Sequence, residues 1–360
     1  MAKISSLTVS GYKSIRELKD FQFKNLNILI GANGAGKSNF ISLFRMLNAI
    51  YEQHLQLYVQ KQGGPDALLH FGRKETERIH AEFYFDLNGY KINLTPTNDN
   101  RLIFESEISW FKGVYYSNSP SALLGLGHDE SKLKEAKDGY SLYVRPAIES
   151  WRVYHFHDTS ETAKVKQKHA VNDNLKLKTD AANLAAYLRM LYNKYPKEYR
   201  RIVENIRLVL PFFSDFVHRE GEPEYIELEW MQVGKTDTPL KAHVLSDGSL
   251  RFICLATLLL QPSQLLPDTV LIDEPELGLH PYAITVLADI FKQVAESKQL
   301  IVSTQSVELV NEFSPEDVVV VNQKDGASEF ERLSQENLAD WLEEYALGEL
   351  WKQNVFGGRP

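Results

Sequence analysis

Gly31-Ala32-Asn33-Gly34-Ala35-Gly36-Lys37-Ser38 follows an apolar run, Leu26-Asn27-Ile28-Leu29-Ile30, and precedes a helical pattern from Asn39 to Tyr51. A strand, a glycine loop ending in Lys-Ser and a helix start together make a phosphate-binding P-loop. The glycines let the backbone bend tightly, so that successive N–H groups point at one anion. The helix N-terminus adds partial positive charge. Lys37 is placed to reach the β- and γ-phosphates of a nucleotide, and Ser38 to offer its hydroxyl to Mg²⁺. Gly31, Asn33, Gly34, Ala35, Gly36, Lys37, Ser38 and Asn39 are therefore the first candidate nucleotide-binding residues.

The loop fixes a ligand class, and composition narrows the rest. At 360 residues the chain has room for two or three domains, or for one large α/β domain with an insertion. Its 43% hydrophobic content suits a globular core. No run approaches the roughly 18 to 20 apolar residues that cross a bilayer, and the N-terminus lacks a basic-then-apolar signal pattern, so no membrane association is expected. The single cysteine, Cys254, excludes an internal disulfide and a Cys-based zinc site, and suits a reducing cytoplasm. The net charge of −8 argues against a whole-surface nucleic-acid binder. Lys164, Lys166, Lys168, Lys176 and Lys178 read as a solvated loop, with a local basic patch as the alternative.

Along the chain, Ile4–Val9 reads as a strand, Gly11–Ile15 as a turn, and Phe21–Ile30 as the strand feeding the P-loop. Residues 39–58 read as one amphipathic helix, with Phe40, Leu43, Phe44, Leu47 and Ile50 on one face. Short alternating runs at 79–87, 90–94, 102–109 and Gly113–Tyr116, with an Asn88-Gly89 turn, read as an antiparallel meander. Residues 120–140 read as a polar helix flanked by loops, and Trp151–Phe156 as a further strand. Helices are expected at 181–193, 197–209 and from Leu245-Ser246 to Leu260; buried strands at Thr269–Ile272, Leu300–Thr304 and Val318–Val321; further helices at 281–297 and 337–345. No repeat and no sustained heptad pattern is present.

Val270-Leu271-Ile272-Asp273-Glu274 is a buried strand ending in two carboxylates, which it carries to the sheet edge where the P-loop also lies. Asp273 suits the Mg²⁺ shell, and Glu274 suits orienting and polarising an attacking water. In Leu245-Ser246-Asp247-Gly248-Ser249, which lies 24 residues before that strand, the chain resembles the ABC-ATPase superfamily, whose signature reads Leu-Ser-Gly-Gly-Gln. Residues 245, 246 and 248 match, and Asp247 and Ser249 depart as they do in the RecF/SMC branch. The resemblance implies that Ser246 and the Gly248 amide face a γ-phosphate on a second subunit's P-loop, in an ATP-sandwiched homodimer. Read alone, the same five residues are an N-cap.

Pro275-Glu276-Leu277-Gly278-Leu279-His280-Pro281 resembles the segment after the Walker B strand of RecF-, OLD- and SMC-like ATPases, where 277–280 would be the D-loop. Ser303-Thr304-Gln305-Ser306 stands where those families place a switch histidine. Gln305 can hydrogen-bond a water or phosphate but cannot become cationic. The reading is slow hydrolysis with Gln305 as a γ-phosphate sensor; the alternative is no role. Gly11-Tyr12-Lys13-Ser14 resembles the Phe-Lys-Ser turn of RecF/SMC ATPases, which makes Lys13 a phosphate contact or a surface lysine. His157 and Asp158 are candidates for the lobe-joining contact to Mg²⁺ and water, or a structural histidine–carboxylate pair.

The resemblance reaches the tail, Trp341-Leu342 to Gly357-Gly358-Arg359-Pro360, and a compact bacterial RecF-like group without coiled coil. It implies an α/β fold: an ABC-type P-loop NTPase core of mixed sheet and flanking helices, with an antiparallel β meander and a helical lobe. The expected ATPase domain is 1–330, its core from 1–60 and 239–330, the meander near 78–117 and an inserted helical lobe near 118–236, followed by a helix and tail at 331–360. Relatives stand beside small nuclease-like, often Toprim-type, proteins in anti-phage or mobile-element defence. With 55 residues after Gln305, no Toprim domain is expected in this chain. The expected function is an ATP-binding, slowly hydrolysing dimeric switch that controls such an effector. The alternative is a RecF-type DNA-repair or DNA-end-binding ATPase. The nucleotide subunit of a transporter fits least.

Overall fold

The computed structural model describes residues 3–112, 120–221 and 223–359. Along the chain run β1 (Ser6–Tyr12), β2 (Ile15–Gln22), β3 (Leu26–Ile30), α1 (Lys37–Tyr51), α2 (Leu55–Lys61), β4 (Ile79–Phe85), β5 (Asn88–Pro96), β6 (Leu102–Phe111), β7 (Ser121–Gly125), α3 (Gly139–Ser150) and β8 (Arg152–Tyr154). The middle third continues with β9 (His169–Ala170), α4 (Leu184–Lys194), α5 (Pro196–Val209), β10 (Phe213–Phe216), β11 (Tyr225–Ile226), β12 (Glu229–Gln232) and β13 (Lys235–Lys241). The last third holds α6 (Asp247–Leu260), β14 (Thr269–Asp273), α7 (Pro281–Ala295), β15 (Gln299–Ser303), α8 (Val307–Val310), β16 (Val318–Lys324), β17 (Ala327–Arg332), α9 (Gln335–Leu342) and α10 (Leu347–Lys352).

Among the described residues the core sheet has the order β17-β16-β3-β15-β14-β8 and is parallel except for β17. Parallel strands covered on both faces are buried along their whole length, as β3 and β15 are. Alternation then sorts their side chains into two cores. Val270, Ile272, Leu300 and Val302 point to one face, under α6 and α7. Leu271, Ile301, Leu29 and Val319 point to the other, under α1. A second sheet, β2-β1-β4-β5-β6-β7, is antiparallel and closes the far side of α1. Trp151, fully buried, ties the layers: its ring centroid lies 5.2 Å from Phe44 of α1 and 5.7 Å from both Phe83 and Phe85 of β4.

Several local readings change. The helix expected over 39–58 is two helices, because Gln53 adopts φ 57 and turns the chain. The helix expected at 120–140 is instead strand β7, with α3 starting later, where Asp138 accepts from Ser141 N and caps it. The strand read at Gly113–Tyr116 lies outside the described residues. The segment 118–236 is a mixture of helices and strands, and its strand β8 is the edge of the core sheet beside β14. The lysine run is tied internally: Lys164 to Asp180, Lys178 to Asp173, and buried Lys166 to the Thr159 carbonyl at 2.6 Å.

Candidate functional site

The register of the core sheet assembles the site. Leu29 pairs with Ser303, and Ser303 with Asp273, so the P-loop, the switch segment and the two carboxylates leave the sheet at one edge. Gly36 caps α1 with φ 118. A Cβ there would lie 2.0 Å from Ser328 Oγ and 2.7 Å from Ser14 Oγ, so only glycine brings the loop this close to both serines. The loop leads into the free N–H groups of the first helical turn, the ordinary anion-binding end of a helix. Asn33, Gly34 and Ser38 are exposed, whereas Ala35 and Lys37 are buried. Asn39 donates to Ser14 Oγ at 2.8 Å.

Lys37 Nζ donates to the carbonyls of Gly31 (2.5 Å) and Ala32 (3.2 Å), arching over the loop it would serve. Burial lowers its pKa, while Glu274, Asp273 and Glu276 pull the other way. Lys13, a candidate phosphate contact or surface lysine, donates to Gln62 Oε1 at 3.1 Å, and burial lowers its pKa.

Asp273 is held on three sides. Ser303 Oγ donates to its Oδ1, Arg45 Nη2 lies 3.4 Å from its Oδ2, and His157 Nε2 lies 3.0 Å from its carbonyl. Glu274 leaves the strand in the left-handed region, φ 47, a strain of order 1–3 kcal/mol that recurs at functional positions. Its N–H is fixed by the Ser303 carbonyl at 2.9 Å. Its Oε1 accepts from Gln305 Nε2 at 2.7 Å. Gln305 therefore sits on the very carboxylate suited to activate water, and its own N–H donates to Glu276 Oε1 at 2.9 Å. Asp158 is occupied by Ser160 and lies off this cluster, while its neighbour His157 reaches it.

Ser246 is the N-cap of α6: its Oγ accepts from Ser249 N at 3.2 Å and lies 2.8 Å from Ser249 Oγ. Gly248 packs on the Gly278 turn so closely that a Cβ would stand 2.1 Å from the Gly278 carbonyl oxygen. The next turn of α6 carries Arg251, buried, with Nε on the Phe156 carbonyl (2.9 Å), Nη2 on the His157 carbonyl (3.2 Å) and Nη1 on the Leu277 carbonyl. The helix that begins at Ser246 is thus clamped to both the His157 loop and the 277–278 turn. Sequence reading passed over Arg251; its signal was a lone cation inside the apolar run 250–260. Arg45, Glu276 and Ser303 carried no comparable signal, since each acts through a partner far away in the chain.

The arrangement fits a nucleoside triphosphate with Mg²⁺. The loop cradle excludes a Cβ, and Ser38 and Asp273 are hard oxygen donors. Among the described residues no group of three or more His, Cys, Asp or Glu side chains could hold a metal alone, and Mg²⁺ is ordinarily bound by one or two protein oxygens with substrate phosphates. No described helix is long and apolar enough to cross a membrane.

Comparison with known proteins agrees with this geometry. Solved structures similar to the chain include an SmcHead bound to the C-winged helix domain of ScpA, with TM-score 0.61, 17% identity, and coverage of 94% of this chain and 99% of that one. Another is an Smc head domain with an extended coiled coil bound to the C-terminal domain of ScpA, derived from Pyrococcus furiosus, with TM-score 0.61, 16% identity, and coverage of 96% and 99%. At such identities the likeness establishes the fold alone, that of an Smc head domain. No curated protein matches the chain. A family profile matches residues 26–311, from the strand before the P-loop to the helix after Gln305. That span is well over half of the sequence, and the chain belongs to the AAA family described as "AAA domain, putative AbiEii toxin, Type IV TA system".

Proposed function

We propose that the chain is an ATP-hydrolysing molecular switch that closes as a homodimer around ATP and is read by a separate effector of nuclease type in bacterial genome defence. The observation that carries the reading is the division of the site. The P-loop, Asp273, Glu274 and Gln305 converge, whereas Ser246 and Gly248 are bound to the Gly278 turn through their own helix. A signature end anchored on the 277–278 turn is suited to complete the site of another copy.

Within one site, Lys37 and the α1 N-terminus bind and orient the phosphates. Ser38 and Asp273 would hold Mg²⁺, which would supply charge neutralisation on the phosphate oxygens. Glu274 holds the attacking water and takes its proton, and Gln305 fixes the orientation of that carboxylate. Glutamine in place of a cationic switch gives no positive charge to the transferred phosphoryl group, which accords with slow turnover. The two SMC head structures are each bound to a ScpA domain, a precedent for a separate protein seated on this fold.

Glu274→Gln keeps the hydrogen bond to Gln305 and removes the base. It is expected to bind ATP and accumulate as a dimer by size-exclusion with light scattering. A strictly monomeric ATP-bound Glu274→Gln would sink the sandwich. Co-purification of a small nuclease that Lys37→Ala loses would support the effector. DNA-stimulated, salt-sensitive turnover would point to the repair reading instead.

A further inference from the structure

Glu276 is used by none of the roles assigned above, yet it is 7% exposed and stands at the centre of the switch. Its Oε1 accepts the main-chain N–H of Gln305 at 2.9 Å, and the Gln305 side chain then reaches Glu274 Oε1 at 2.7 Å. Its own carbonyl accepts from Leu279 N at 3.0 Å, closing the turn that places Gly278 against Gly248. Burying a carboxylate is costly, and burial raises its pKa. A carboxylate kept there at that cost is held for its geometry.

We infer that Glu276 is a positioning residue that fixes Gln305 on Glu274 and ties this sensor to the Gly278 turn, so that the turn and the sensor move as one. The inference rests on the ATPase reading and adds its line of communication: a second copy pressing on the 277–278 turn acts on Gln305 through one carboxylate oxygen.

Hydrogen exchange of the segment containing the Gln305 amide, together with steady-state ATPase kinetics, tests this in the full chain. Glu276→Ala is expected to speed exchange of that amide by about tenfold and to lower kcat by about tenfold, with KM within about twofold, the scale of one hydrogen bond to a charged group. Glu276→Gln retains an oxygen acceptor and should leave both readouts near wild type. In a Gln305→Ala background, Glu276→Ala should cost no further kcat. Unchanged exchange in Glu276→Ala, an equal loss in both backgrounds, or Glu276→Gln as damaging as Glu276→Ala overturns the inference. If Glu276→Ala does not fold, the exchange and kinetics of Glu276→Gln decide it. If wild type hydrolyses no ATP and equals Lys37→Ala, the ATPase reading fails, and amide exchange still decides whether Glu276 holds Gln305.

Discussion

Gly248→Ala is a sharp perturbation because the obstacle is main chain. The new Cβ would stand 2.1 Å from the Gly278 carbonyl oxygen and 3.1 Å from its carbon, where ordinary contact begins near 3.4 Å. About 1.3 Å of extra separation is required, and no rotamer supplies it. Either α6 moves away from the 277–278 turn or the turn moves toward Arg251, whose Nη1 already lies 3.0 Å from the position of a Cβ on Gly278. Overpacking of this kind costs roughly 1–3 kcal/mol of stability. A 1 Å misplacement of a site element can cost about a hundredfold in rate. The expected phenotype is kcat reduced by about a hundredfold, ATP affinity of the isolated chain within about twofold, and loss of the ATP-dependent dimer in the Glu274→Gln background. Urea unfolding, ATP titration and light scattering read the three effects. A Gly248→Ala protein with kcat within twofold of wild type and stability within about 0.5 kcal/mol would show that the contact between α6 and the Gly278 turn is not the coupling surface.

Other expectations concern the frame around the site. Glu107 is fully buried and accepts from Tyr90 OH (2.6 Å), Ser131 Oγ (2.5 Å), His128 Nε2 (2.9 Å) and Lys132 N (2.9 Å). Glu107→Ala should cost about 3–5 kcal/mol by leaving those groups unpaired, and urea unfolding showing a loss below 1 kcal/mol would refute the network's importance. His218, bonded to Tyr199 OH at 2.9 Å, has its pKa lowered to about 4, chiefly by burial, with Asp215 opposing and Arg189 adding to the shift. Unfolded histidine titrates near 6.5, so between these values the unfolded chain binds more protons, and stability present above pH 6.5 is lost as pH falls toward 4, by about 3 kcal/mol in full. The pH dependence of wild-type unfolding should exceed that of His218→Gln over this window; parallel curves would exclude the assignment. Cys254 is buried, and its thiol is pushed up to about 12 by that burial. A thiol reagent should therefore react only on unfolding, and rapid labelling of native protein would contradict the packing of α6.

What the chain announced by itself is what contiguous residues can encode. A phosphate loop needs glycines, a lysine and a hydroxyl in unbroken order, so residues 31–38 declare it. A buried strand ending in carboxylates is likewise local, as are the Ser246 cap and the apolar length of α6 and β14. Contacts made by pairing at a distance are not legible in this way. Nothing in Ser303-Thr304-Gln305 alone says that the Gln305 side-chain amide meets Glu274, because that contact depends on β14 lying parallel to β15 with Asp273 opposite Ser303. The three residues of β8 form too short a pattern to place it at the edge of the core sheet, and the exposed lysine run concealed its pairing with Asp173 and Asp180. The hydrogen bond of Lys13 to Gln62 is likewise set by packing between residues 49 positions apart. The phosphate-binding chemistry is legible in residues 31–38 alone, since backbone amides, a lysine and a hydroxyl on one loop are set by covalent order. How the site is coupled emerges from packing, because Arg251, Glu276 and Gln305 bond to groups that sheet register and helix packing bring within reach.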